Sequence, residues 1–160
     1  MDMTGETMLG ASREKVWAAL NDPAVLKDAI PGCEALDKVS DTQFTATVVT
    51  KVGPIKARFS GKVLLTDIVA PVSYTISGEG QGGIAGFARG GADVSLHAVD
   101  SDNTVLRYVV KAQVGGKIAQ LGARLIDATA RKLAGQFFER FSEIVSGHAP
   151  AAGASHEVVE

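Results

Sequence analysis

The sequence predicts an α+β domain in which an antiparallel sheet of about seven strands wraps around one long C-terminal helix. Three observations predict it. From Cys33 to Gly115 apolar and polar residues alternate with period two, as half-buried strands require. From Gly116 to about Ser146 apolar residues recur every three or four positions without a proline, as one amphipathic helix requires. Between the first strand and the alternating region, two segments carry helix-start signals at Ser12 and Asp22.

Each element follows from local chemistry. Met1 to Ala11 alternates weakly around Met3, Gly5, Thr7 and Leu9 and reads as the first strand. Ser12 offers a side-chain oxygen to orphan amides, and Val16, Trp17 and Leu20 give the following helix an apolar face. Asp22-Pro23 starts a second short helix carrying Val25, Leu26 and Ile30, which stops at Pro31-Gly32. Phe44, Ala46, Val48 and Val52 share one face of a strand that turns at Gly53-Pro54. Ile55, Ala57, Phe59, Val63 and Leu65 then oppose Lys56, Arg58, Ser60 and Lys62. Tyr74 and Ile76, then Val94, Leu96 and Ala98, then Leu106, Tyr108, Val110 and Val114 mark three further strands. The long helix buries Ile118, Leu121, Leu125, Leu133, Phe137, Phe141 and Ile144 against the dry face of the sheet.

At 160 residues and a formal net charge of −2, the chain fits one domain, expected over residues 1–146. Residues 147–160 hold Glu157 and Glu160 and no Lys or Arg, and read as a short acidic, disordered tail. A nearly neutral chain lacks the cationic excess of a nucleic-acid binder. Its one cysteine, Cys33, forms no internal disulfide and reads as a small packing residue. Neither a signal peptide nor a membrane-spanning run is legible, so the expected location is the cytoplasm.

The inventory of reactive groups is sparse. His97, His148 and His156 lack metal-ligand spacing, so no metal site is expected, and no other feature calls for a cofactor. Gly78-x-Gly80-x-x-Gly83 matches a dinucleotide fingerprint in letters, but the chain continues as a strand, which removes the helix that the motif needs. Glu79, at a strand end beside a glycine loop, reads first as a surface or turn-bonding carboxylate and second as a general acid. The glycine-rich connection from Gly78 to Phe87 reads as a flexible loop whose apolar Ile84 and Phe87 can gate a cavity or touch a partner or a bilayer surface.

One helix cannot fill a long curved sheet from edge to edge, so a hollow between them is expected. Its predicted lining is Leu26, Ile30, Phe44, Phe59, Tyr74, Ile76, Leu96, Tyr108, Leu121 and Leu125. Tyr74 and Tyr108 can each bury a ring and aim a hydroxyl at a ligand atom. Pro31, Gly82, Gly83, Ile84, Phe87, Gly116 and Ile118 are the expected entrance.

Several ordered motifs then resemble a known family. Ile30-Pro31-Gly32-Cys33-Glu34, Val52-Gly53-Pro54-Ile55, Phe59-Ser60-Gly61-Lys62-Val63, Gly78-Glu79-Gly80 and the run from Val114 to Ile126 are similar to the G-subunit family of carbon monoxide dehydrogenase. That family lies in the START-like, helix-grip (SRPBCC) superfamily of polyketide cyclases and lipid-transfer domains. The resemblance covers about residues 1–146. It implies a helix-grip fold and an accessory, non-enzymatic role beside a carbon monoxide dehydrogenase-type molybdenum hydroxylase. It also implies a lipid- or quinone-like ligand and peripheral contact with the inner face of the membrane. The short acidic tail departs from longer members, whose extended C-terminal regions suit membrane contact. Two other readings compete. One is a small cyclase or hydrolase using Glu79 or a tyrosine, and the other is a ligand-free assembly factor.

Overall fold

In a computed structural model of the chain, eight strands form one antiparallel sheet in the order β2-β3-β4-β5-β6-β7-β1-β8. The structure describes residues 1–148, 150 and 153–159. β1 (Asp2–Leu9) is followed by α1 (Arg13–Leu20) and α2 (Pro23–Ala29). A meander comes next: β2 (Cys33–Ser40), β3 (Gln43–Val52), β4 (Ile55–Val69), β5 (Ser73–Gln81), β6 (Phe87–Asp100) and β7 (Asn103–Gly115). α3 (Ala123–Ser146) crosses the concave face, and β8 (Ser155–Val159) closes the chain.

The helix starts behave as their residues dictate. Ser12 Oγ accepts from the Lys15 amide at 3.2 Å, and Asp22 Oδ1 accepts from the Ala24 amide at 2.9 Å. Pro23 takes the first helical position, where no amide is needed. Arg140 of α3 holds Asp28 of α2 through two hydrogen bonds, of 2.7 and 3.1 Å, and so ties the long helix to the short one.

Two expectations are corrected. The long helix does not begin at Gly116. Lys117–Leu121 form a 3-10 helix, and Gly122 at φ 95° breaks the chain before α3. Glycine reaches that angle without a Cβ penalty, and no side chain caps the new start. The tail is also more than a disordered acidic extension. Part of it, residues 149, 151, 152 and 160, lies outside the described residues, but Ser155–Val159 pair antiparallel with β1, Met3 opposite Val158 and Gly5 opposite His156. The alternation of His156 and Val158 with exposed neighbours is the signal for that strand.

One half of the concave face is filled. Leu9, Val16 and Phe141 are wholly buried there, with Leu96 and Val145 beside them. The other half is bare. Ala46 pairs with Gly61, Ile76 with Ala92, Gly78 with Gly90, and Gly90 with Ala112, so small residues recur across five adjacent strands. At Gly61 a Cβ would lie 1.9 Å from the Glu79 carbonyl oxygen, and at Gly90 2.1 Å from that of Lys111. The strands approach so closely there that only hydrogen fits, which lets the sheet bend around α3.

Candidate functional site

Filled at one end and paved with small residues at the other, the grip encloses an apolar cavity of about 440 Å³. Its floor is Phe44, Ala46 and Val48 of β3, Val63 and Leu65 of β4, Tyr74 and Ile76 of β5, Ala92 and Val94 of β6, and Leu106, Tyr108 and Val110 of β7. α2 contributes Leu26 and the adjoining Ile30, and α3 contributes Ala134, Phe137 and Phe138 as a roof. Met3, Leu20 and Leu36 complete the walls. Among the described residues the lining holds no Asp, Glu, His, Lys, Arg, Ser or Cys, and Tyr74 and Tyr108 are its residues with a hydroxyl.

Those hydroxyls differ. Tyr108 lies over Gly5, where a Cβ would stand 2.2 Å from its ring, so β1 must carry glycine at that point. The Tyr108 hydroxyl is 2.7 Å from His156 Nδ1 of β8, and the two rings stack with centroids 5.8 Å apart. Phe138 stacks on Tyr108 at 5.5 Å and on His156 at 5.3 Å. Burial pushes the Tyr108 phenol up to about 12 and lowers the His156 imidazole, so both are neutral at pH 7. Tyr74 meets Trp17 of α1 edge-on, with centroids 5.1 Å apart, and burial raises its phenol well above the ordinary range.

Of the ten residues expected to line the hollow, Leu26, Ile30, Phe44, Tyr74, Ile76 and Tyr108 are brought together around it. Leu96 lies in the filled half, 3% exposed. Phe59 joins a separate small core of Ala57, Ala85 and Ile118. Leu121 sits in the 3-10 helix, and Leu125 lines an outer groove between β3 and α3 together with Pro31.

None of the seven expected entrance residues lines the cavity. Gly82 and Gly83 begin a compact turn in which the Gly82 amide donates to the Gly86 carbonyl at 2.7 Å. Gly86 abuts Gly116 so closely that a Cβ on Gly116 would lie 2.5 Å from its Cα, and Phe87 covers Gly115. Ile84 projects from this turn, 92% exposed. Sequence reasoning missed the roof of Ala134, Phe137 and Phe138 because a helical stripe does not say which turn stands over empty space. It also missed Ala46, Ala92 and Val110 on the floor, whose inward placement the period-two pattern carried.

Glu79 faces away from the cavity. It alternates with Gly78 and Gly80 and lines an open groove on the outer face with Lys62, Arg89 and Lys111. That removes the carboxylate from the acid–base alternative. Cys33 is half-buried at the start of β2, its thiol directed to the Ala35 carbonyl at 3.4 Å. Among the described residues no cluster of His, Cys, Asp and Glu could hold a metal ion, and no helix is long and apolar enough to cross a membrane.

Residues 5–146 match the family of the carbon monoxide dehydrogenase G subunit (CoxG). The chain belongs to the CoxG family. Among solved structures, a conserved protein from Geobacillus kaustophilus is similar at 27% identity and a TM-score of 0.88, over 98% of this chain and 99% of that one. A START superfamily protein from Mycobacterium smegmatis shares the fold at 13% identity and a TM-score of 0.70, over 92% of this chain and 99% of the other. The Zhui aromatase/cyclase from Streptomyces sp. R1128 does so at 11% identity and 0.65, over 91% and 93% of the two chains. No curated protein sequence matches. The CoxG chain thus has the START-like helix-grip architecture, with eight strands rather than about seven.

Proposed function

We propose that this CoxG chain is a non-catalytic accessory protein that carries a hydrophobic, lipid- or quinone-like molecule in the cavity between sheet and α3. The cavity carries this reading: about 440 Å³ lined by apolar side chains and two neutral tyrosines suits a ligand held by burial of its own apolar surface. Each Å² of apolar ligand surface removed from water contributes about 25 cal/mol before the costs of association. An ionised fatty acid fits less well than a neutral lipid or quinone, because no cation lines the cavity to meet its carboxylate. The lack of acid, base or nucleophile in the lining weighs against a cyclase or hydrolase. Family membership supports service to a carbon monoxide dehydrogenase-type molybdenum hydroxylase.

A peripheral role at the membrane has its own support. Exposed Ile84 stands on a turn that packs, through Ala85, against segments carrying Lys56 and Lys117, a composition suited to an anionic lipid surface.

The test of carriage is direct. Organic extraction and native mass spectrometry of the purified protein should release a neutral hydrophobic molecule, and added quinone should raise the melting temperature. Ala134→Phe, which places a ring in the cavity, should abolish both effects while the protein stays folded. Unchanged melting across a panel of quinones and neutral lipids, with nothing extracted, would leave an assembly factor as the reading.

A further inference from the structure

The two tyrosines of the cavity are chemically unequal. The Tyr108 hydroxyl is engaged by His156 at 2.7 Å. The Tyr74 hydroxyl has no hydrogen-bond partner among the described residues, although the residue is only 5% exposed. A buried phenol without a partner forfeits the hydrogen bonds that water gave it. Among the described residues the side-chain polar atoms sealed without a partner are Thr7 Oγ1 and Arg13 Nε, so the Tyr74 hydroxyl keeps some accessible surface. Tyr74 stands on the concave face, registered opposite Val94, and the space it lines there is the cavity.

We propose that the Tyr74 hydroxyl is the one polar recognition group of the cavity, and that the molecule carried is a neutral apolar body bearing a carbonyl that accepts its hydrogen bond. The proposal rests on the carrier reading. The other walls are apolar, so a second polar group on the buried part of the ligand would go unmet. The phenol stays protonated throughout the physiological range, so it serves as a donor. A pure hydrocarbon would leave this donor unsatisfied, whereas a ketone, ester or quinone carbonyl of equal size would satisfy it. The cavity therefore selects for one acceptor in a particular place, and Tyr74 is a specificity-determining residue.

Two probes of matched shape test this, 2-acetylnaphthalene and 2-ethylnaphthalene, measured by calorimetry on the full chain. The wild-type protein should bind both, the ketone about tenfold more tightly, as one added buried hydrogen bond gives. Tyr74→Phe should keep the hydrocarbon's affinity and lose the preference. The infrared carbonyl band of bound 2-acetylnaphthalene, read on the wild type without any variant, should shift to lower frequency than in hexane. If both probes bind equally and the carbonyl band is unshifted, or if Tyr74→Phe keeps the preference, Tyr74 is not the recognition group and carriage still stands. If neither probe binds while an added quinone still raises the melting temperature, the assignment of Tyr74 is overturned and carriage stands; if no quinone or neutral lipid shifts melting either, both fall.

Discussion

At the scale of single residues, the absence of side chains matters as much as their presence. Gly90 and Gly80 sit on neighbouring strands, yet substitution should treat them differently. A Cβ at Gly90 would press into the Lys111 carbonyl oxygen at 2.1 Å, a backbone atom that cannot rotate away. A Cβ at Gly80 would meet the Phe59 Cβ at 3.6 Å, an ordinary contact. Gly90→Ala should therefore destabilise by about 2–3 kcal/mol in urea titration, while Gly80→Ala should stay within about 1 kcal/mol of the parent. Equal midpoints for the two variants would mean that the close strand approach at Gly90 is not rigid. Tyr74, Ile76 and Tyr108 could be expected on the concave face because period two fixes which side chains point inward. Leu96 and Phe59 were drawn into the same expectation because period two says nothing about position along the strand. Leu96 lies at the filled end and Phe59 beyond Gly61, on the same face but away from the void.

At the scale of elements, β8 joins the chain's end to the cavity wall through His156. Burial lowers the His156 pKa below its usual 6.5, so the undocked strand takes up a proton before the docked one does. Docking thus contributes stability that is complete above about 6.5 and is lost as pH falls through the depressed native value. Hydrogen-exchange protection of Ser155–Val159 and of the facing part of β1 should drop between pH 7.5 and pH 5. In His156→Phe, which keeps a ring against both Phe138 and Tyr108, the drop should vanish. Protection that is flat across this range in the parent would show that His156 does not govern docking. The meander and the first two helices were legible because turns and caps are local chemistry, as at Ser12, Asp22 and Gly53-Pro54. The break at Gly122 was hidden because the apolar spacing of Ile118, Leu121 and Leu125 continues straight across it. Only the backbone angle distinguishes a 3-10 turn there from a helix already under way.

At the scale of the whole molecule, a net charge of −2 conceals a polarised distribution. No Asp or Glu occurs in residues 42–66, 80–92 or 103–126. Parts of these stretches meet at one end of the fold, where Ile55, Ala85 and Ile118 share a small core and Ile84 projects. Lys51, Lys56, Arg89, Lys117 and Arg124 are exposed on these segments. A neutral chain with one basic pole should bind phosphatidylglycerol-containing vesicles and ignore phosphatidylcholine ones, with binding that fades as salt rises. Ile84→Asp should weaken co-sedimentation with the anionic vesicles about tenfold or more. Equal binding to both lipids, or indifference to Ile84→Asp, would remove this pole from any membrane role. Total charge could not suggest this surface, because the sum is blind to which strands the fold brings side by side.

The concave floor has one more consequence. Where a chamber's floor and roof include residues that stop at a methyl, its capacity becomes a dial that point mutations can turn without redrawing the architecture. Enlarging Ala46, Ala92 or Ala134 would shrink the guest that fits, one carbon at a time. Relatives built on this scaffold are then expected to diverge first in cavity volume, at these positions, long before they diverge in shape.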